Sequence, residues 1–218
     1  MTGSNTDPST YKYLHELILY LKEEGFTVGI RTNGYFDLTR QSEILKELNG
    51  TVSYSIQSLK PETNKKITGT SRIPDWDNII PNSGDNVRAT IVVNRYNVGE
   101  IYEMLKYLSK FDNIKYIQLR SIYAETGGFK RKYAKDIQAF KDLSEDIKKK
   151  FEYVKSFKNC PIYKICGKEV VLWDLGENTI NANNYYTDGS LHQNYYVVAG
   201  YVSNLGQGNQ TAKNPAAH

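Results

Sequence analysis

The chain has 218 residues, 39% of them hydrophobic and 24% charged, and its 28 basic and 24 acidic residues give a formal net charge of +4. That is the composition of an ordinary globular protein with a sizeable core, and the charge is too mild to argue for nucleic acid by itself. No run approaches the roughly 20 apolar residues that a membrane-spanning helix needs. The first ten residues carry no basic-then-apolar export signal, which places the chain in the cytoplasm.

The first predicted element is an amphipathic helix over residues 8–24. Pro8 suits its first turn, and Leu14, Leu17, Ile18 and Leu21 recur on one face. Gly25 ends it, and Thr27–Arg31 is a short strand closed by Thr32-Asn33-Gly34. A second helix is expected around Gln41–Leu48, with Thr39 as its cap and Asn49-Gly50 as its stop. The alternation then repeats, with a strand at Thr51–Ile56, a short helix at Pro61–Ile67 and a helical turn at Trp76–Ile80. After them come a β-branched strand at Val87–Val93, a helix at Val98–Leu108 capped by Asn97, and a strand at Lys115–Leu119. Strands separated by helices imply βαβ crossovers, hence a parallel sheet whose ligands sit at the carboxyl ends of its strands. Those ends are Thr32-Asn33-Gly34, Gln57-Ser58, Asn94-Arg95 and Arg120-Ser121.

Beyond residue 125 the pattern changes. A long charged helix is expected over Lys132–Phe151, then strands at Glu169–Trp173, Ile180–Thr187 and Asn194–Val202, the last two joined through Asp188-Gly189 as a hairpin. The 18 tyrosines, several of them near the C-terminus, fit half-buried strands better than a base-stacking platform. Residues 206–218 read as a disordered tail. The reading therefore divides the chain into an α/β body over 1–125, a helix-and-strand extension over 126–204 and a tail over 205–218.

The order of these elements resembles a radical S-adenosylmethionine (SAM) enzyme. Such enzymes carry, after the second strand of a partial (β/α)6 barrel, a Gly-Gly-Glu-Pro-like motif that holds the amino group of SAM. Gly3 to Pro8 looks like a variant of it, followed by a helix, a strand and the turn Thr32-Asn33-Gly34. Val52–Ser58, Pro61-Glu62-Thr63 and Ile67-Thr68-Gly69 resemble the fourth strand and the stretch after it. Val87–Asn97 resembles the fifth strand and its capped helix, and Tyr116–Ser121 the sixth strand. The likeness covers residues 2–125. It implies a partial parallel barrel lacking its first strands, with an extension of helix and antiparallel strands. It also implies that Gly3, Ser4, Asn5 and Asp7 contact the methionine moiety of SAM, with Asn33, Ser55 and Gln57, and then Gln118 and Arg120, as further contacts.

One departure governs the expected activity. The family binds a [4Fe–4S] cluster through C-x-x-x-C-x-x-C in the loop after its first strand, and the reduced cluster cleaves SAM to start radical chemistry. This chain has only Cys160 and Cys166, with five residues between them, and no such motif. The motif resembling that of the second strand begins at Gly3, so the first strand, its loop, the first helix and the second strand would need about 60 further residues. The resemblance thus reads as that of an N-terminally incomplete enzyme whose parent uses SAM and a [4Fe–4S] cluster that this chain does not ligate. Its substrate is unknown, and it has an exposed barrel edge through which it could self-associate.

Two other classes stay open. A cluster-free module could keep Asn5, Asn33 and Ser55 for binding a nucleoside or SAM. Nucleic-acid or peptide binding could use Phe129–Tyr133 and Lys148-Lys149-Lys150, although snorkelling lysines on a solvated helix face are the preferred reading of both runs. His15, His192 and His218 form no triad or zinc spacing, no phosphate-binding loop is present, and Cys160 and Cys166 are read as free thiols.

Overall fold

The computed structural model describes residues 1, 7–36, 38–122, 127–175, 183–185 and 191–192. In chain order these form α1 (Leu14–Glu23), β1 (Ile30–Thr32), α2 (Leu38–Glu47), β2 (Val52–Ser55), α3 (Pro61–Thr68), α4 (Trp76–Ile79), β3 (Val87–Val92), α5 (Ile101–Ser109) and β4 (Ile114–Arg120). They continue with α6 (Gly127–Lys132), α7 (Ala134–Lys150), β5 (Glu152–Phe157), β6 (Cys160–Ile165), β7 (Lys168–Trp173), β8 (Asn184–Tyr185) and β9 (Leu191–His192).

Seven strands make one open sheet in the order β1-β2-β3-β4-β7-β6-β5. β1, β2, β3, β4 and β7 are mutually parallel, and β6 and β5 are added antiparallel. The protein is therefore α/β with a mostly parallel sheet. A doubly wound sheet reverses its strand order midway; here β1 to β4 step in a single direction. Right-handed crossovers that always step the same way lay every helix on the same face. The burial agrees. Leu14 and Ile18 of α1, Ile44 and Leu45 of α2, Trp76 and Ile79 of α4, Met104, Leu105 and Leu108 of α5, and Phe140, Leu143 and Ile147 of α7 share one apolar cluster with alternate residues of the strands. Those strand residues are Ile30, Val52, Tyr54, Val87, Ala89, Ile91, Ile117, Leu119, Val170 and Leu172.

The residues between them point the other way, because side chains along a strand alternate between faces. Among the described residues that second face has a small apolar cluster of Cys160, Ile162 and Val171 with Tyr116 and Trp173, and no helical residue belongs to it. The sheet is thus two-sided in chemistry, with hydrocarbon and helices on one face and mainly polar side chains on the other.

Several sequence expectations need correction. The single helix over 8–24 is instead a 3-10 turn, Pro8–Thr10, capped by Asp7, followed by α1; Tyr11 is extended and breaks the run. Thr39 lies inside α2, one residue past its start and not before it. The Asn97 side chain does not cap the following helix: its Oδ1 accepts from Asn94 N, and its Nδ2 donates to Gln57 O and Val92 O, tying the ends of β2 and β3 together. β5 and β6 were not expected. They are formed by two-residue turns with positive φ at both positions, Lys158 (48°) and Asn159 (62°), then Cys166 (49°) and Gly167 (79°). Turns of that kind match the twist of paired strands. Pro161 is tolerated in β6 because pairing with β7 begins only at Ile162.

The chain divides into two units, Met1–Asn178 and Thr179–His218. Residue 125 falls inside the first, where β4 pairs with β7 across it. In the second unit β8 and β9 form a short antiparallel pair, Asn184 opposite His192 and Tyr185 opposite Leu191. The expected strand at Asn194–Val202, the Asp188-Gly189 turn and the tail lie outside the described residues. Among the described residues no helix is long and apolar enough to cross a membrane.

The outer edge of β1 carries one more pairing. The Met1 ammonium donates to Gly29 O, and Arg31 N donates to Met1 O at 2.8 Å. Those two bonds are the pattern of a parallel ladder one residue long, with Met1 beside Ile30. Burial, and secondarily the Arg31 guanidinium, hold the Met1 ammonium below its ordinary pKa. The folded chain therefore binds this proton less readily than the unfolded chain. The resulting stability is fully present above about pH 8, the unfolded value, and is lost as pH falls through the folded one. Acetylating the amino terminus keeps the N–H donor and removes the charge. The acetylated chain should melt at a higher temperature than the free chain at pH 6, and the two should converge at pH 9; equal melting temperatures at both pH values would show that Met1 is solvated.

Candidate functional site

The register of the parallel strands assembles the polar face in rows. Arg31, Ser53, Arg88, Tyr116 and Glu169 lie side by side across β1, β2, β3, β4 and β7. The next row towards the carboxyl ends is Ser55, Thr90, Gln118 and Val171, and the one after it Val92, Arg120 and Trp173, with Gln57 two residues past Ser55. Neighbouring side chains in a row are about 4.8 Å apart and successive rows about 6.6 Å apart. Sequence reasoning named Ser55, Gln57, Gln118 and Arg120, and these four share this face at its carboxyl end.

The lower row is bonded internally. Arg88 donates from Nε to Ser53 Oγ at 3.0 Å and from a terminal nitrogen to the Tyr116 hydroxyl at 3.0 Å, and Ser53 Oγ lies 3.3 Å from Thr90 Oγ1. Ser53, Thr90, Gln118 and Arg120 are all buried. The upper rows are less satisfied. Gln57 Oε1, Gln118 Oε1 and Trp173 Nε1 are buried without a hydrogen-bond partner. A buried polar atom left in that state costs about 1–3 kcal/mol, so three on one face call for an explanation.

Asp7 stands beyond the end of β1. Its carboxylate accepts from Thr32 Oγ1 (2.9 and 2.8 Å), from Asn33 N (2.7 Å) and from Ser9 N (3.0 Å). Asn33 is exposed, and its Oδ1 accepts from Tyr35 N at 3.0 Å. Both residues thus shape the turn after β1, and their oxygens are already engaged. Gly3, Ser4 and Asn5 lie outside the described residues. Replacing Asp7 by alanine should destabilise the chain by about 1–3 kcal/mol through the lost charge-assisted bonds. It should also speed hydrogen exchange at the Asn33 amide well beyond the change at Ala89, which lies inside β3 between two paired strands. Uniform acceleration at both would show that the loss is global and not confined to this turn.

The other strand ends are structural. Arg95 grips the buried Asp136 of α7 with Nε at 2.9 Å and a terminal nitrogen at 2.8 Å, and its backbone N donates to the same carboxylate. Glu100 accepts from Ser58 and Thr63. Ser121 bridges Asp174 and the Leu175 amide. A surface hollow of about 590 Å³ is lined by Gly34, Tyr35, Arg72 and Pro74, and its Tyr35 hydroxyl is tied to Arg72 O and Asn64.

Arg88, Thr90, Tyr116 and Trp173 were missed as site residues. The signal was present: Val87-Arg88-Ala89-Thr90-Ile91 and Tyr116-Ile117-Gln118-Leu119-Arg120 alternate strictly between polar and apolar, which marks a strand with two different faces. Reading Val87–Val93 simply as buried concealed it.

The two cysteines sit at opposite ends of β6, Cys160 at its start and buried, Cys166 just past its end and exposed. Six residues of strand separate them by about 20 Å. Both are free thiols, and they do not fit one iron–sulfur cluster, which takes several thiolates within a few ångströms. Among the described residues no three His, Cys, Asp or Glu side chains are grouped to hold a metal ion. Compared with known proteins, the chain matches no family model and no curated protein.

Proposed function

We propose that this chain is the SAM-binding side of a radical SAM-type partial barrel, and that it binds a nucleoside of the SAM kind at the carboxyl ends of β1 to β4. The observation that carries the reading is the single direction of strand order from β1 to β4, with Ser55, Gln57, Gln118 and Arg120 on the face opposite α1 to α5. A curved sheet wound in this way has its helices outside and its polar face inside, as in a barrel segment.

The cluster is a different matter. With Cys160 and Cys166 about 20 Å apart, the chain does not supply the thiolates for SAM cleavage, and no radical step is derived for it. What its own residues supply is recognition. Gln57 and Gln118 offer carboxamides to a ribose or an amino group, the Trp173 N–H offers a donor to a carboxylate, and Asp7 holds the turn after β1 in place. A cluster-free binding module is therefore the reading for the chain as it stands, and the radical enzyme that of its parent.

Anaerobic reconstitution with iron and sulfide, alongside calorimetric titration with S-adenosylhomocysteine, tests both parts. The expected result is no stoichiometric iron, and saturable nucleoside binding that Asp7→Ala and Gln57→Leu each weaken at least tenfold. Absence of binding overturns the nucleoside reading. A stable cluster overturns the argument from cysteine placement.

A further inference from the structure

The hollow of about 590 Å³ has a size typical of small-molecule sites. Tyr35 and Phe36 come to it from the turn after β1, and Arg72 to Asp75 from the loop between α3 and α4. One wall is fastened by a buried side chain. Asn64 of α3, 3% exposed, donates from Nδ2 to the Tyr35 hydroxyl at 2.7 Å and to Thr70 O and Arg72 O, each at 2.9 Å. The Tyr35 hydroxyl in turn donates to Arg72 O at 2.6 Å, and Arg72 N donates to Thr70 Oγ1 at 3.2 Å. The Arg72 backbone and the Tyr35 ring are thus held as one piece, with the guanidinium carbon 5.9 Å from the ring centroid.

Those bonds account for the loop and leave two charged side chains over. Among the described residues the Arg72 guanidinium makes no hydrogen bond and no ion pair. Asp75 stands at the N-cap position of α4, where a carboxylate ordinarily accepts from first-turn amides, yet its side chain makes no capping bond. It has no ion pair among the described residues either, and the two do not pair with each other although both line the hollow. Much of the remaining lining is apolar, from Phe36, Ile73, Pro74 and Ile79. A lone charge facing open water needs no partner. A cation and an anion held apart at one apolar hollow match a ligand that carries both signs and a hydrocarbon group.

We propose that this hollow binds a free α-amino acid with an apolar side chain. Arg72 takes the carboxylate in its guanidinium fork, a bond it makes in plane while its face lies over Tyr35. Asp75 takes the ammonium, and the ligand's side chain packs on Phe36, Ile73 and Ile79. The proposal does not rest on the nucleoside reading: Asp7 and Gln57, whose variants test that reading, do not line the hollow.

The test is calorimetric titration of the full chain with phenylalanine, leucine and alanine, then with the N-acetyl and amide derivatives of the best of them. Phenylalanine or leucine should bind about tenfold more tightly than alanine, from the buried side chain. The N-acetyl form lacks the ammonium and the amide lacks the carboxylate, and each should bind about fivefold less tightly than its parent. Arg72→Met should weaken the free amino acid about fivefold and leave its amide unchanged. Asp75→Asn should do the same for the free amino acid and leave the N-acetyl form unchanged. Both side chains are exposed, so both variants should melt as the unsubstituted chain does. No saturable binding of phenylalanine or leucine overturns the proposal, as do derivatives that bind as tightly as their parent. So does an Arg72→Met variant that weakens acid and amide alike, which would make the arginine a wall and not a charge.

Discussion

Replacing Gly34 by alanine will lower the stability of the chain by roughly 2–5 kcal/mol, because two separate costs meet at this residue. Gly34 has φ +77°, a left-handed conformation that costs an alanine about 1–2 kcal/mol. Its added methyl group would also stand 2.5 and 2.6 Å from two ring carbons of Trp76. Trp76 has no room to retreat. It is 3% exposed, and its ring packs edge-on against the fully buried Tyr54 at 5.5 Å between centroids. Overpacking of that kind costs about 1–3 kcal/mol. For a chain of this length the melting temperature should fall by roughly 5–15 °C, measured by circular dichroism. Gly25 is the control: its φ is +83°, and an added methyl meets nothing within 4 Å. Gly25→Ala should therefore cost only the conformational part. Equal losses in the two variants would mean that Trp76 does not lie over the turn, and that the aromatic packing beneath α4 is wrong.

The turn at Gly34 was legible in the sequence, and so was much of the helix-covered half of the sheet. Leu14 and Ile18, or Leu105 and Leu108, recur at helical spacing because one stripe of each helix must be buried, and hydrophobicity reports burial directly. The antiparallel end was hidden for a definite reason. Its turns use Lys158-Asn159 and Cys166-Gly167, neither of which is an Asn-Gly or Asp-Gly pair, and the six residues of β5 are all exposed, so no alternation marks it. Asn97 shows the limit of reading a cap from residue type, since an asparagine before a helix can equally bond backwards. Here it bonds to Gln57 O and Val92 O and fastens two strand ends. The site was half legible. Ser55, Gln57, Gln118 and Arg120 were named from separate strands, but their convergence depends on register, and register comes from pairing that a single strand does not encode. Asp7 was named as a ligand contact, whereas its carboxylate is spent on Thr32 and Asn33.

Two neighbouring residues of β4 give the second large prediction, because they face opposite sides of the sheet. Leu119 is fully buried among the helices, and Leu119→Ala should cost about 2–5 kcal/mol through lost transfer energy and the cavity left behind. Gln118 is nearly as buried, yet its Oε1 lacks a partner. Methionine has a similar volume and no such atom, so Gln118→Met should raise stability, by about 1 kcal/mol. Opposite signs at adjacent, equally buried positions would mean that the polar face is kept at some expense to the fold, which is the mark of a surface retained for what it binds. The sharper outcome joins stability to recognition. Gln118→Met should become more resistant to urea while losing the binding of S-adenosylhomocysteine. If it loses stability as Leu119→Ala does, the amide oxygen has a partner in solution, and the face is part of the scaffold.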